Sequence, residues 1–451
     1  MRAIVIGGNH AGIACANRIR EEYPEVEVVI FEKKDEVGFV SQTIPLFLMG
    51  AQDIHSQANY AKPDDIRQNG IDLRINTEVI EISAKEKRIS YREVGKKLRE
   101  DMFYDKLVMA TGSYPDLPPT GGELGKTLFL LKERKDAEDL NDFVNSADTV
   151  GVIGGGLVGV EISRIFAKRG LKVTVIQSNP RLLDKYLDDI TAMEVEEQMQ
   201  GEGIKLLLGT RALDYETIKE KLWRKSKVKI MTTSGETVEV DGVCVSIGFK
   251  PNSFLLSGQV KTGDRGAILV DEYMQSSDPD ILAVGDCATS RLDLIGKDIY
   301  NPHASDAFRQ GLIAAINLFE RKKEIGMTTG TYKFNMQGFT IASTGITYAS
   351  AIENGFDADY VHYRNSYIES EDFSTIHLVY ERKTHKILGF QVIGTADISS
   401  YVQIVSYAIQ KGANIEDLEF TDFFFEHGYK NPLGFTKILA SLVREKAKSE
   451  E

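Results

Sequence analysis

Two copies of one glycine signature lie far apart in this chain, and together they fix much of what it can fold into. The first opens the sequence as Arg2-Ala-Ile-Val-Ile-Gly7-Gly8-Asn9-His10-Ala11-Gly12, with Glu32 closing the run Val26-Glu-Val-Val-Ile-Phe-Glu32. The second reads Val150-Gly-Val-Ile-Gly154-Gly155-Gly156-Leu157-Val158-Gly159 and is followed by Val173-Thr-Val-Ile-Gln177. Each copy reads as strand, tight glycine turn, amphipathic helix and second strand. That is the βαβ unit that seats a pyrophosphate on a helix N-terminus. Two such units imply two dinucleotides, and the usual reason to hold two is to pass electrons between them. In the first copy Asn9 stands where the middle glycine of the pattern falls, while Gly7 and Gly12 keep the turn and the close helix–strand packing. Glu32 falls at the end of the second strand, where a carboxylate can take a ribose 2′-hydroxyl.

Composition sets the outer limits. A chain of 451 residues can hold two to four domains and a large core. The net charge of −13 argues against nucleic acid or an anionic membrane as a main partner. No apolar run approaches the ~18 residues of a membrane helix. With a strand starting at Arg2 no signal peptide is expected, and the expected location is cytoplasmic. The three cysteines, Cys15, Cys244 and Cys287, form no CxxC pair, which excludes a disulfide scaffold or two-cysteine redox motif. They read as small apolar filler, and no His/Cys grouping suggests a metal.

The fold class expected is α/β, with two Rossmann-like nucleotide units and a C-terminal α+β unit. Tyr114-Pro-Asp-Leu-Pro118-Pro119-Thr-Gly121-Gly122 marks the first crossing and Ser246-Ile-Gly248-Phe-Lys-Pro251-Asn252 the return. Asp280-Ile-Leu-Ala-Val-Gly285-Asp286 reads as a buried strand, and 302–319 as a helix with Pro302 near its first turn. The divisions are 1–118 with 247–322, then 119–246, then 323–451. The last part carries β-rich runs at 339–346, 375–380 and 386–393, helices at 400–411 and 435–446, and a solvated tail. No repeat is evident beyond the two βαβ units.

This order of motifs, with Ala110-Thr111-Gly112 after the first unit and Glu161 in the second, resembles the FAD-dependent pyridine nucleotide–disulfide oxidoreductases. The closer resemblance, over essentially the whole chain, is to the single-cysteine branch of NADH oxidases, NADH peroxidases and coenzyme A disulfide reductases. It rests on Gly8-Asn-His10-Ala-Gly12, Ala342-Ser-Thr-Gly345-Ile and Asp422-Phe-Phe-Phe-Glu-His-Gly-Tyr429-Lys-Asn-Pro432. The resemblance implies a discontinuous FAD domain (1–118, 247–322), an NAD(P) domain (119–246) and a dimerisation domain (323–451) in a homodimer. It implies that Gly7, Gly12, Glu32 and Lys33 bind the ADP half of FAD, with Gly8, Asn9, Ala11, Ser41, Val79, Ala110 and Lys132 also at that cofactor. Thr111 and Gly112 would run beside it, and Asp286 would hold the ribitol. Ala304 and Ser305 would put N–H groups on the flavin pyrimidine edge, where a helix dipole favours the anionic reduced ring. Gly154, Gly156, Val158, Gly159, Glu161, Gln177 and Tyr186 would bind NAD(P)H, with Gly248 near the nicotinamide.

One departure matters most. The branch carries a cysteine beside the flavin in a Ser-Phe-x-x-Cys segment. Here the segment is Gly38-Phe39-Val40-Ser41-Gln42-Thr43-Ile44-Pro45-Leu46, with Gln42 in the cysteine's place. An amide cannot become a thiolate, a sulfenic acid or a disulfide. The catalytic candidates are His10, Gln42 and Tyr429. By the resemblance His10 stands by the flavin; read alone, it equally caps the turn. Tyr429, with His427, is expected to reach Gln42 of the other chain, and His303 also falls near the flavin. Gln177 replaces the acidic residue usual for NADH and repels a 2′-phosphate less, and Arg181 could attract one. Leu157 stands where relatives often carry an aromatic gate. Arg18, Arg20 and Pro45 are pointers to coenzyme A, set against a plain solvated helix face. The expected function is hydride transfer from NAD(P)H to flavin and then to O₂, giving H₂O₂. The alternatives are a quinone or small redox protein as acceptor, and a slow-turnover sensor that binds FAD and NAD(H).

Overall fold

The structure, a computed structural model, describes residues 1–51, 53–118, 127–218, 227–335, 338–423 and 428–450. The first crossing at 119–122, His427 and most of the 423–429 aromatic string lie outside the described residues.

Both glycine signatures start from a strand at the centre of a five-stranded parallel sheet. In the first sheet the order is Ile281–Ala283, Lys106–Met109, Arg2–Ile6, Glu27–Phe31, Asp72–Arg74. In the second it is Lys205–Leu207, Lys172–Ile176, Thr149–Ile153, Gly242–Val245, Leu128–Phe129. The central strands are unbroken apolar runs because helices or partner layers cover both faces, and Ala3, Ile4, Val5, Val150 and Val152 are fully buried. On either side of each central strand the chain order reverses. That is the switch point where a crevice opens beyond the strands' carboxyl ends.

The repeat is longer than the sequence suggests. Each parallel sheet carries a three-stranded antiparallel layer: Thr77–Ser83, Arg88–Glu93 and Glu100–Phe103 in the first, Ala212–Ile218, Lys227–Thr232 and Thr237–Val240 in the second. Their short, half-polar strands share no motif, so sequence comparison misses them. The two crossings pair with each other: Phe249–Pro251 runs antiparallel to Ser113–Pro115.

The C-terminal part is a five-stranded antiparallel sheet ordered Tyr332–Asn335, Thr340–Gly345, Ile387–Gly394, Phe373–Glu381, Ala358–Ser366. The last strand alternates polar and apolar residues and was not among the expected apolar runs. Helices Ser400–Gln410 and Phe435–Glu450 accompany the sheet. Lys448 and Ser449 of the tail at 446–451 are exposed as expected, but the tail is anchored where it starts. The second helix runs through it, and Lys446 Nζ donates to Asp359 Oδ1 (2.7 Å) and the Tyr360 carbonyl (3.0 Å).

One helix crossing closes the first unit. His10–Glu22 lies on Ala304–Ile316, and a Cβ on Gly311 would stand 2.3 Å from the Ala11 carbonyl oxygen. The crossing therefore needs a bare backbone. Gly201, the last residue of the helix Asp189–Gly201, has nothing within 4 Å of its would-be Cβ. Gly311→Ala should lower the stability to urea by about 1–3 kcal/mol, while Gly201→Ala should leave it equal or raise it by up to about 1 kcal/mol. Equal stability of the two variants would deny the close crossing.

Candidate functional site

Each glycine turn builds a cradle by the same means. Gly7 has φ +116°, and a Cβ there would lie 2.1 Å from the Ala110 carbonyl oxygen; on Gly12 it would lie 1.9 Å from the Gly7 carbonyl oxygen. In the second copy Gly154 (φ +106°) would meet the Ser246 carbonyl at 2.5 Å, and Gly159 the Gly154 carbonyl at 1.9 Å. The N-caps, Asn9 and Gly156, give no side-chain cap to their helices. Asn9 instead donates to the Phe39 carbonyl (3.1 Å). The first-turn N–H groups are therefore left for an anion.

The two strand ends also match. Glu32 Oε2 accepts the Gly8 N–H at 2.7 Å, and Oε1 the Lys34 N–H at 2.9 Å. Gln177 Oε1 accepts the Gly155 N–H at 2.9 Å, while Nε2 donates to the Arg181 carbonyl at 3.4 Å. The amide thus reproduces the carboxylate's hold on the glycine turn without its charge. Arg181 itself is engaged by Glu196 (3.2 Å) and Asp189 (3.8 Å) and is not on the cavity wall.

Both cradles face one cavity of about 1420 Å³. Its wall takes Gly7, Gly8, Asn9, His10 and Ala11, then Glu32, Lys33, Ser41 and Gln42. Ala110, Thr111, Gly112, Lys132, Asp286 and Ala304 follow. The second cradle adds Gly154, Gly156, Val158, Glu161, Gln177, Tyr186 and Gly248. Leu157, Pro45 and His303 are on the wall as well. Five expected site residues are not. Gly12 and Gly159 pack beneath the turns. Val79 is 7% exposed in the core of the first unit. Ser305 is exposed, on the outer side of its helix start. Tyr429 is 3% exposed, its ring 4.1 Å from Tyr367 and 5.5 Å from Phe435. Arg18 pairs with Glu21 and Glu22, and Arg20 donates to the Pro24 and Val26 carbonyls, so neither reaches toward the cavity.

Charged groups of both signs line the wall, and Lys132 and Asp286 form one close pair among them. Lys132 Nζ stands 3.0 Å from Asp286 Oδ2 and 2.9 Å from Ser113 Oγ, and 4.6 Å over the Phe249 ring. Burial works against the Asp286 carboxylate, yet Lys132 and the Ser113 hydroxyl hold its pKa below the usual range. His10 stacks on Tyr60, ring centroids 5.4 Å apart, and burial lowers its pKa against the pull of Asp286. His303 is lowered by burial too, and lies parallel to Tyr332 at 6.2 Å. Ser113, Tyr60, Phe249 and Tyr332 were not singled out from the sequence. Nothing local marks them, since each matters through a partner distant in the chain.

No thiol opens onto the wall, although Cys287 lies directly behind it beside Val284 and Asp286. Cys15, Cys244 and Cys287 are all buried and free, and none is on the cavity wall. Burial pushes the Cys15 thiol up to about 12 and raises the other two. Gln42, where the resemblance places a cysteine, is exposed to the cavity at the N-cap of Thr43–Leu48. Among the described residues no group of three or more His, Cys, Asp or Glu could hold a metal, and no helix is long and apolar enough to cross a membrane.

Residues 1–311 match the family model of the pyridine nucleotide-disulphide oxidoreductases, and 334–427 that family's dimerisation domain. The chain belongs to this family. An NADH oxidase of Enterococcus faecalis is 32% identical over 99% of this chain and 100% of its own. A water-forming NADH oxidase from Lactobacillus brevis, solved with NADH, superposes with a TM-score of 0.94 at 30% identity, covering 100% of this chain and 99% of that one. An NAD-dependent persulfide reductase from A. fulgidus follows at 0.90 and 27%, covering 100% and 84%. As a member of this family the chain is an FAD-dependent oxidoreductase that takes NAD(P)H as substrate. The fit is physical: two uncapped helix starts, each over a turn that excludes a Cβ, face one cavity.

Glu161, on that wall, has a pKa pushed up to about 7 by burial. Its folded-state value lies above the ordinary 4.5, so its ionisation is disfavoured in the folded chain. Stability from this group is present below pH 4.5 and is lost as pH rises toward 7. Glu161→Gln should therefore gain thermal stability over the parent progressively across that window. Parallel melting curves against pH would refute the burial effect.

Proposed function

We propose that this protein is an NAD(P)H oxidase that releases H₂O₂, with FAD in the first cradle and NAD(P)H in the second. The balance is NAD(P)H + H⁺ + O₂ → NAD(P)⁺ + H₂O₂. The observation that carries this reading is the placement of sulfur: Gln42 lines the cavity, and all three cysteines are buried and off its wall. Reduction of the peroxide O–O bond to water needs two more electrons. A thiol could store them through a sulfenic acid, but no residue on this wall can.

When bound, FAD supplies the two-electron carrier between hydride donor and acceptor. The protein's own residues supply position and charge. The uncapped first turns of His10–Glu22 and Leu157–Lys168 offer N–H groups to the two pyrophosphates. Asp286, kept ionised by Lys132, offers an acceptor to polyol hydroxyls. Ala304, first residue of its helix after His303, places a helix N-terminus on the wall, favouring negative charge there. His10, neutral because burial lowers its pKa, and Gln42, an amide, orient a ligand by hydrogen bonds. Neither delivers electrons. The family's dimerisation domain at 334–427 supports a homodimer.

NADH, O₂ and peroxide should be measured together. The expected ratio is one H₂O₂ per NADH and per O₂. Two NADH per O₂ with no free peroxide would show another electron store and overturn this reading. NADH oxidation only on adding a quinone would replace O₂ as the acceptor. Gln42→Cys should divert part of the product to water.

A further inference from the structure

After Gln177 the chain brings Ser178, Asn179, Lys185 and Tyr186 to the cavity wall and ends at Asp188, N-cap of the helix Asp189–Gly201. Asp188 does not cap that helix with its side chain. Its carboxylate turns into the C-terminal sheet. Gln391 Nε2 donates to Oδ2 at 2.7 Å, the Tyr348 N–H to Oδ1 at 2.9 Å, and His377 Nε2 stands 3.1 Å from Oδ2. In return Gln391 Oε1 accepts the Asp188 N–H (3.0 Å) and the Thr191 hydroxyl (2.6 Å). Asp188, Gln391 and His377 are 9%, 2% and 1% exposed. Nearby, the Ser343 hydroxyl donates to the Tyr186 carbonyl at 3.1 Å, and the Tyr186 ring meets Tyr332 edge-on at 4.6 Å.

Adhesion alone does not call for such a cluster, since apolar side chains join two surfaces without the penalty of a buried charge. What this buried polar cluster adds is a single register, because Asp188 and Gln391 satisfy one another at short distances and any slip leaves them unpaired, while His377 Nδ1 has no hydrogen-bond partner of its own. We propose that Asp188, Gln391 and His377 are positioning residues for the pyridine nucleotide: they lock segment 178–188, and Tyr186 with it, onto the C-terminal sheet, so that KM for NAD(P)H is set by groups that touch no substrate. The inference rests on assigning the second cradle to NAD(P)H.

The test is a reversal of polarity in the FAD-loaded enzyme. Asp188→Asn sets an amide N–H₂ against the Gln391 amide. Gln391→Glu sets a second carboxylate against Asp188. Each should raise KM for NADH about tenfold, with kcat within about threefold and FAD content unchanged. The double variant restores a donor facing an acceptor at both sites and should recover most of the loss. Tyr186→Ala is the reference. If it raises KM while both single variants leave KM within twofold, the positioning role falls and the cradle assignment stands. If Tyr186→Ala leaves KM unchanged, the assignment itself falls, and the proposal with it. Loss of FAD or of melting temperature without a KM change, or no recovery in the double variant, also overturns the proposal. Should the single variants fail to fold, Ser343→Ala removes only one hydroxyl; it should raise KM about threefold, and an unchanged KM there would overturn the proposal.

Discussion

The cavity depends on close contact between bare backbone at the start of two helices and the ends of the strands beside them. A methyl group at Gly7, Gly12, Gly154 or Gly159 would fall within 2.5 Å of a carbonyl oxygen. With hydrogen there, each helix begins against the central strand, and its uncapped N–H groups point where the sheet order reverses. The neighbouring strand ends then deliver Ala110–Gly112 to one cradle and Ser246–Gly248 to the other. The antiparallel pairing of the two crossings carries Lys132 and Asp286 into reach of one another, although 154 residues separate them. The helix crossing at Gly311 has the same character and sets Ala304 at the wall.

Electrostatics follows from that geometry. A wall that receives anionic ligands at two helix starts can keep an ionised Asp286 only by giving it a cation, and Lys132 does this while lying on the Phe249 ring. Glu161 has burial as its only resolved influence, and its pKa rises. The two carboxyls thus diverge for a stated reason: one is served by a lysine and a hydroxyl, the other is only desolvated.

What was legible in the sequence was what the backbone demands locally. A glycine turn between an apolar strand and an amphipathic helix has few other uses, so both cradles, their flanking strands and the strand before Asp286 could be read directly. The antiparallel layers were not legible, because short half-polar strands carry no motif. Ser113, Tyr60 and Tyr332 escaped because each gains its role from a distant partner. Resemblance carried positions, and the structure supplies their surroundings. Val79 sits in a packed core, Ser305 faces outward, and Tyr429 is enclosed by Tyr367 and Phe435. The tail looked solvated because its charges are frequent, yet Lys446 finds Asp359 on a strand the apolar pattern did not reveal.

Two glutamines draw these threads together. Gln177 holds the Gly155 N–H as Glu32 holds that of Gly8, so the turn keeps its shape while the strand end loses a negative charge. Gln42 lies at the wall where the resemblance places a thiol. In both places an amide keeps the hydrogen-bonding capacity of the site and gives up an ionisable group. At Gln177 the backbone contact of the turn is preserved. At Gln42 the change alters the chemistry, because a thiol can store electrons and an amide cannot. On the reading proposed above, such a site keeps the hydride-accepting half of the reaction, which depends on cradles and helix starts, and passes its electrons to a molecule that diffuses in.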